Sequence, residues 1–314
     1  MHFPKNLKII ITVLFLTVLS IKNSNSIENK ILFKIDNEII TTIDIYEEIK
    51  FLKIFNPEIS NLDEIELFEI SKNSILKDKI KKVEILKFVK DLEVEDKFIL
   101  NLIRAKYAKL NIDTLENFKI YSKKNNLNYD YINEKLRIEL IWNDLIYQKF
   151  FKKVNIDEAQ IKNEISKNSK NKIQRELLLS EIIFTENDKI NFKKKHQEIL
   201  LDINNIGFKK AALKHSDSDT ASNGGLIGWV KEDNLNKNIK KIVSKLKTGQ
   251  FSNPVRTSSG FIILKIEDEK EYLSNFDLEE KVKEVIRFKT NDQLNQFSSM
   301  YFNKIKKDLI IYGL

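Results

Sequence analysis

Apolar side chains recur at three- and four-residue spacing through the first half of the chain, which is typical of helices with one buried face. The predicted helices are 42–55, capped by Thr42; 61–92, as one helix or a broken pair; 94–110; one opened by Asp113 with Glu116; 128–151; and one that starts at 155 or 157 and ends near 167. Ahead of them, residues 31–41 alternate around Asp36 and Asn37, which predicts two short strands. The pattern therefore predicts a helical N-terminal domain over residues 27–172.

A different pattern begins after this domain, where strand-like and helical segments alternate. Glu176 to Phe184 is a dense run of apolar residues that favour strands, and Phe261 to Ile266 is another. Between them lie predicted helices over 188–203, 208–214 and 239–246, together with a glycine-rich stretch that contains a further strand. This order predicts a small α/β sheet domain at residues 174–268.

The C-terminal segment, residues 271–314, is predicted to form a long helix over 278–307 and a final strand over 308–312. A single strand at a chain end needs a partner for its backbone hydrogen bonds. The unpaired strand-like segment outside the sheet domain is 31–35, so we expect the C-terminal helix and strand to pack on the N-terminal domain. The predicted fold class is α+β, with an α/β sheet domain inserted into a helical domain.

Six of the seven glycines lie between Gly207 and Gly260, inside the predicted sheet domain. Glycine permits positive φ and close backbone approach, so this clustering indicates obligatory tight turns. The window contains HSDSDTASNGGLIGW, from His215 to Trp229, and GQFSNPVRTSSGFIILK, from Gly249 to Lys265. We expect these loops to frame a shallow apolar pocket on one face of the sheet.

Composition narrows the classes of partner. The chain has 54 basic and 46 acidic residues, but the two signs are interleaved along the helices, so no nucleic-acid partner is expected. The absence of cysteine excludes disulfides, thiolate metal ligands and a cysteine nucleophile. Neither a P-loop nor a dinucleotide-binding glycine motif occurs, and we expect neither a cofactor nor a metal.

The first 26 residues predict export from the cytoplasm. Lys5 and Lys8 precede an apolar run from Ile9 to Ile21, which is shorter than the roughly 20 residues of a membrane span and fits a secretory signal. Small residues before Ile27 favour cleavage after Ser26, and an uncleaved membrane anchor is the alternative. We expect a periplasmic protein, with no stable membrane insertion if the signal, residues 1–26, is removed.

The tracts of the sheet domain resemble those of the parvulin-type peptidyl-prolyl cis-trans isomerases. The matching residues are the entry strand SEIIF, the tract from His215 to Trp229, the turn KTGQFSNPV and the exit strand TSSGFIILK. With its signal, its opening segment IDNEIITTID and one inserted domain, the layout is similar to the SurA family of periplasmic chaperones. The resemblance implies partners that are unfolded or extended polypeptides, among them outer-membrane protein precursors.

The same resemblance implies a set of site residues. The two strand histidines of the parvulin pattern fall at Glu181 and Ile262, and its Cys or Asp position falls at Ser218. The peptide-binding positions fall at Ile227, Leu235, Ile239, Thr257 and Ser259, with Trp229 either in the core or in the pocket wall.

Two functions are compatible with this set, because the apolar pocket positions are kept while both histidines are replaced. A buried Glu181 without a histidine is expected to have a raised pKa or to need another partner. One hypothesis is a folding factor that binds prolyl peptides and isomerises them through a pocket that tolerates the replacements. The other is a peptide-binding chaperone that is catalytically silent.

Overall fold

The computed structural model describes residues 29–167, 173–186, 188–273 and 277–313. The predicted signal at residues 1–26 lies outside these ranges. Within them, no helix combines the length and the apolar character that crossing a bilayer requires. Helices and two antiparallel sheets are both present, which confirms the predicted α+β class.

The N-terminal part is a strand hairpin followed by helices. Its elements are β1 (Ile31–Ile35), β2 (Glu38–Thr41), α1 (Thr42–Phe55), α2 (Glu64–Ile85), α3 (Asp96–Lys106), α4 (Leu115–Lys124), α5 (Tyr129–Phe150) and α6 (Glu158–Lys167). These elements occupy the segments that the apolar spacing predicted, and several of the helices are shorter at their ends. The hairpin turns at Asp36, which has a φ of 49°.

Two of the predicted helix caps are wrong by one residue. Thr41 caps α1, because its hydroxyl accepts a hydrogen bond from the Asp44 N–H while the Asp44 carboxylate accepts one from the Thr41 N–H. Thr114 caps α4 by accepting from the Asn117 N–H at 3.1 Å. The cap is the last residue with extended backbone, and residue spacing alone does not identify it.

Two apolar clusters fill the helical part. One packs α1, α3 and α4 together around Leu52, Ile103 and Phe118, and the other joins α2, α5 and the hairpin around Trp142. Trp142 is fully buried, and its Nε1–H donates to the Ser298 hydroxyl at 2.8 Å. Ser298 belongs to the C-terminal helix, so that helix is part of the same core.

The C-terminal helix α10 (Leu278–Asp308) leads into the last strand, β7 (Ile311–Gly313). This strand pairs antiparallel with β1, so that the small sheet has the order β2-β1-β7. The strand begins later than predicted, because residues up to Asp308 continue the helix. The two ends of the described chain therefore lie side by side in one sheet.

The four-stranded sheet has the order β4-β3-β6-β5. Its long central strands are β3 (Ile173–Phe184) and β6 (Gly260–Leu273), and its edge strands are β4 (Leu226–Lys231) and β5 (Val255–Thr257). Helices α7 (Lys189–Ile206) and α8 (Phe208–His215) pack on one face, and α9 (Lys237–Val243) packs on the other. All strand pairs are antiparallel.

Both central strands extend well beyond the predicted runs. Glu176 lies opposite Lys270 in the β3–β6 register, and their charged atoms are 2.9 Å apart. Arg175 makes an ion pair with Glu269 in the same stretch. Charged residues have low strand propensity, but opposite charges facing each other across strands stabilise the pairing, so the strands continue.

Candidate functional site

Glu181 and Ile262 lie on the two central strands and face the same side of the sheet. Glu181 is opposite Leu264 in the β3–β6 register, and Ile183 is opposite Ile262. Because alternate residues of a strand share a face, these four side chains form one floor, on the side of the sheet that α9 covers. The two positions that correspond to strand histidines are thus brought together. The histidines within the described ranges, His196 and His215, lie on α7 and α8 instead.

The carboxyl group of Glu181 is buried among hydroxyls. The residue is 9% exposed, the Ser218 hydroxyl donates to its Oε1 at 2.6 Å, and the Thr220 Oγ1 lies 3.0 Å from the same oxygen. Burial raises the pKa of Glu181 above its ordinary value, although the hydrogen bonds from Ser218 and Thr220 act in the opposite direction. The predicted consequence of burial without a histidine partner is therefore present. The hydroxyls supply hydrogen bonds but no positive charge.

The loop that carries Ser218 is held against β3 by backbone contacts. The Ile183 N–H donates to the Ser216 hydroxyl at 3.0 Å, and the Asp217 N–H donates to the Ile183 carbonyl at 2.6 Å. Gly225 ends the loop with a φ of +80°, and a Cβ there would lie 2.2 Å from the Glu181 carbonyl oxygen. Glycine is therefore required at this position, and the loop places Ser218 over the floor.

Asp219, the neighbour of Ser218, points away from the floor and into the helical part. Its carboxylate makes an ion pair with Lys81 of α2 and accepts from the Ser298 hydroxyl at 3.0 Å. Burial alone would raise its pKa, but the nearby Lys81 and the Ser298 hydroxyl together hold the pKa of Asp219 below its ordinary value. Ser218, the predicted family position, thus donates to Glu181, whereas the adjacent Asp219 bonds the helical part.

Leu235 and Ile239 form the apolar wall of the site. Both are partly buried against the floor cluster, which also contains Leu179, Ile262 and Val243. Asn236 caps α9 between them, since its side chain accepts from the Ile239 N–H at 2.9 Å. This cap turns the chain so that Leu235 and Ile239 both face the sheet.

Trp229 and Ile227 do not belong to this wall. Val230 packs in the floor cluster, so the adjacent Trp229 faces the opposite side of β4, where it is 41% exposed with the Lys270 ammonium 4.2 Å from its ring centre. Ile227 lies two residues earlier on the same strand and is 39% exposed. Of the predicted peptide-binding positions, Ile227 therefore does not lie on this wall, because alternation along β4 places it on the same side as Trp229.

Thr257 and Ser259 form the turn between β5 and β6. Their hydroxyl oxygens lie 3.1 Å apart, and the Thr257 hydroxyl donates to the Gly260 carbonyl. Ser259 is buried, so the turn presents its hydroxyls inward rather than to solvent. Their predicted contact with a peptide remains a prediction.

Helix α10 lies on the same face of the sheet, which the sequence did not indicate. Phe288 packs against the floor cluster beside Leu235 and Ile239. The Glu284 carboxylate accepts from Lys231 at 2.7 Å and from the Asn234 amide at 2.8 Å. The apolar spacing of 285 and 288 could have shown a second buried stripe on this helix, but not which surface it covers.

The described residues include no group of three or more acidic or histidine side chains arranged to hold a metal ion. The chemistry that the site offers is apolar contact from Leu235, Ile239 and Ile262 together with one carboxyl group favoured in its neutral form. Such a surface can bind an apolar segment and offer one hydrogen-bonding group to a backbone amide.

Comparisons with known proteins identify the family model and the relatives that this chain resembles. Residues 160–268 match the family model described as "Rotamase: PPIC-type PPIASE domain". The chain is 27% identical over 175 residues to Chaperone SurA of Pseudomonas fluorescens, covering 53% of this chain and 41% of that protein. It is 28% identical over 172 residues to Chaperone SurA of Escherichia coli O157:H7, covering 52% and 40%. The chain thus spans about two-fifths of the length of these curated relatives.

Solved structures of this kind also superpose on the chain. One chain from the structures of the SurA-like chaperones PEB4 and Cj1289 of Campylobacter jejuni gives a TM-score of 0.38 at 18% identity, covering 91% of this chain and 99% of that chain. A PpiC-type peptidyl-prolyl cis-trans isomerase domain gives 0.29 at 25% identity, covering 32% and 96%. Residues 160–268 form a PPIC-type, or parvulin-type, domain. The chain that carries this domain is SurA-like.

We predict that Glu181→Gln makes the protein more stable at neutral pH. Because the folded pKa of Glu181 is raised above its ordinary value of 4.5, the folded state binds this proton more tightly than the unfolded state. Wild-type stability therefore falls as the pH rises from about 4.5 through the folded pKa, and the variant lacks this contribution. Urea denaturation between pH 4.5 and pH 8 measures the difference, which should grow with pH. The exposed Glu198→Gln is the control, and a difference that does not depend on pH would contradict a buried neutral Glu181.

Proposed function

We propose that this chain is an exported folding factor that binds unfolded or extended polypeptides, including outer-membrane protein precursors, through the sheet face that carries Leu235, Ile239 and Ile262. The observation that supports this most directly is the apolar wall beside a buried carboxyl group, within a segment that matches the PPIC-type family. Aliphatic side chains recognise apolar segments without a strict sequence requirement, which suits a protein with many clients.

The prolyl ring is the part of a peptide that this face fits best. It is compact and apolar, and its tertiary amide has no N–H that must be satisfied when it is buried. Leu235 and Ile239 would contact the ring, while the hydroxyls of the loop after α8 lie close to the flanking backbone. Binding of this kind is weak and reversible because it depends on a small apolar contact.

The helical part offers further apolar surface for client segments. Phe88, Phe98, Tyr147 and Phe151 are large apolar side chains exposed on its surface, and Lys149 lies 4.2 Å from the ring centre of Phe88. Exposed aromatic rings next to lysines bind aromatic-rich and mixed-charge segments. We propose that these residues contact the client outside the prolyl site.

Leu235→Ala is expected to weaken the binding of a fluorescein-labelled peptide containing Phe-Pro-Phe by about tenfold, because it removes much of the apolar wall. Fluorescence anisotropy with the full chain measures the dissociation constant. Leu201→Ala, at a 60% exposed leucine on the far face of the same domain, is the matched control and should leave the affinity unchanged. Equal affinities for wild type and Leu235→Ala would place the peptide elsewhere.

A second candidate, prolyl isomerisation, is favoured by a carboxyl group with a raised pKa at a histidine position. Rotation about the X–Pro bond faces a barrier of about 20 kcal/mol from amide resonance, and a hydrogen bond to the nitrogen of the twisted amide would lower it. In the structure, however, Ser218 and Thr220 hold the Glu181 carboxyl group through hydrogen bonds. Binding without catalysis is therefore the function that the geometry supports better.

The full chain is expected to leave the rate of X–Pro isomerisation at its uncatalysed value while it suppresses aggregation of an unfolded client. A protease-free isomerisation assay and light scattering of a denatured outer-membrane protein diluted into buffer measure the two activities. Catalysis above background that Glu181→Gln abolishes would favour the isomerase instead.

Export and a periplasmic location are proposed from the residues that precede Ile27. N-terminal sequencing of the protein purified from the producing cell is expected to start at Ile27, as cleavage after Ser26 requires. A start at Met1 would instead indicate that residues 9–21 are retained as an anchor.

A further inference from the structure

We infer that α10 is an internal occupant of the peptide-binding face, so that a client peptide must displace the N-terminal half of this helix before it can reach Leu235 and Ile239. The inference rests on the proposed function, because it identifies what covers the same face in the free protein. It accounts for the position of α10 in the chain, directly after the sheet domain.

The apolar contact comes from Phe288. Its side chain packs against the floor cluster together with Leu235 and Ile239, the residues proposed to contact a prolyl ring. A phenyl ring and a pyrrolidine ring compete for the same apolar surface when they contact the same side chains. The peptide and α10 therefore cannot both occupy this wall.

Polar contacts fix α10 on both sides of Phe288. Glu284 accepts from Lys231 and Asn234, and Lys281 donates to the Asn234 side chain at 3.1 Å. Beyond Phe288, the Ser258 hydroxyl of the β5–β6 turn donates to the Gln296 side chain. From residue 281 to residue 296 the helix rises by about 22 Å, enough to cross the whole sheet face.

The polar part of the floor is covered as well. Asp292 lies between Phe288 and Gln296 along the helix, and its charge contributes to the raised pKa of Glu181. The hydroxyl of Ser298, two turns further on, donates to Asp219 in the loop that carries Ser218. The N-terminal half of α10 therefore lies over the apolar wall and the carboxyl group together.

The contacts that hold α10 differ in strength along its length. Its C-terminal half contributes the buried Phe302 and Ile305 to the core of the helical part. The N-terminal half contributes the buried Val285, the half-buried Phe288 and side-chain hydrogen bonds to Lys231 and to the buried Asn234. The C-terminal half packs more apolar side chains, since Leu294 and Tyr301 also pack on the helical core. The N-terminal half is therefore the one that can leave while the other half stays in place.

The first experiment measures peptide binding to the full chain after the contacts of α10 with the sheet face have been weakened. The double variant E284A/F288A is expected to bind the fluorescein-labelled Phe-Pro-Phe peptide about tenfold more tightly than wild type, a usual size for coupling between two sites. The matched control is Phe297→Ala, the same substitution on the same helix, where the ring stacks on Phe150 of the helical part instead. Phe297→Ala should leave the affinity unchanged.

The second experiment holds α10 on the sheet face with a covalent bridge. The chain has no cysteine, so K231C/E284C provides a single pair of thiols that a bis-methanethiosulfonate reagent can bridge across the contact of Lys231 with Glu284. The bridged protein is expected to lose peptide binding, and dithiothreitol should restore it. Amide hydrogen exchange measured on the same samples reports whether residues 234–243 become more exposed in E284A/F288A and less exposed in the bridged protein.

The outcomes separate this inference from the proposed function. Tighter binding by E284A/F288A with loss on bridging supports both. If the wild type, the double variant and the bridged protein bind the peptide with equal affinity, α10 does not block the peptide-binding face. The proposed peptide binding would still stand. An equal gain in E284A/F288A and Phe297→Ala also overturns the inference about α10, because the effect would then come from general loosening. Failure of every variant to bind overturns the proposed function and, with it, this inference.

Discussion

The hydrogen bonds around the carboxylate of Asp219 join the two halves of the molecule. Trp142 of α5 donates to the Ser298 hydroxyl, which donates in turn to Asp219, and Lys81 of α2 pairs with the same carboxylate. The Asp219 side chain keeps 42% of its surface exposed, so the geometry of these directional contacts, rather than removal from water, favours the one arrangement that brings these elements together. Because Ser218 is the next residue along the loop, the same arrangement turns its hydroxyl towards Glu181. The site on the sheet thus depends on packing in the helical part.

The chemical properties of the floor depend on the side chains around Glu181. An imidazole pair would offer two nitrogens that exchange protons near neutral pH, whereas Glu181 offers one carboxyl group, and Ser218 and Thr220 both bond its Oε1. Ile262 adds apolar surface in place of the second ring, directly opposite Ile183. The replacements therefore increase the apolar area available to a bound segment and reduce the number of groups able to move a proton. Both changes favour retention of a peptide over rotation of its prolyl bond.

Much of the fold could be predicted from the sequence because its elements carry strong local signals. The periodicity of the helices, the alternation around Asp36 and the glycine at 225 each reflect a local backbone requirement. The lengths of β3 and β6 could not be predicted, since they depend on cross-strand charge pairs such as Glu176 with Lys270. Trp229 was assigned to the pocket wall or the core because it is large and apolar, but strand alternation turns it to the other face.

The position of α10 could not be predicted from the sequence either, because it depends on contacts between residues far apart in the chain. The helix has apolar residues on more than one side: Val285 is buried and Phe288 packs on the sheet, while Phe302 and Ile305 pack with Trp142. A helix that packs against two surfaces loses the clean division into one apolar and one polar side from which a packing surface is usually predicted. A helix that covers an apolar face also shields that face from nonspecific association while no client is present. If a client peptide displaces this helix, as inferred above, it must make more contact than Val285, Phe288 and a few side-chain hydrogen bonds provide, which would favour long unfolded segments over the short apolar patches of folded proteins.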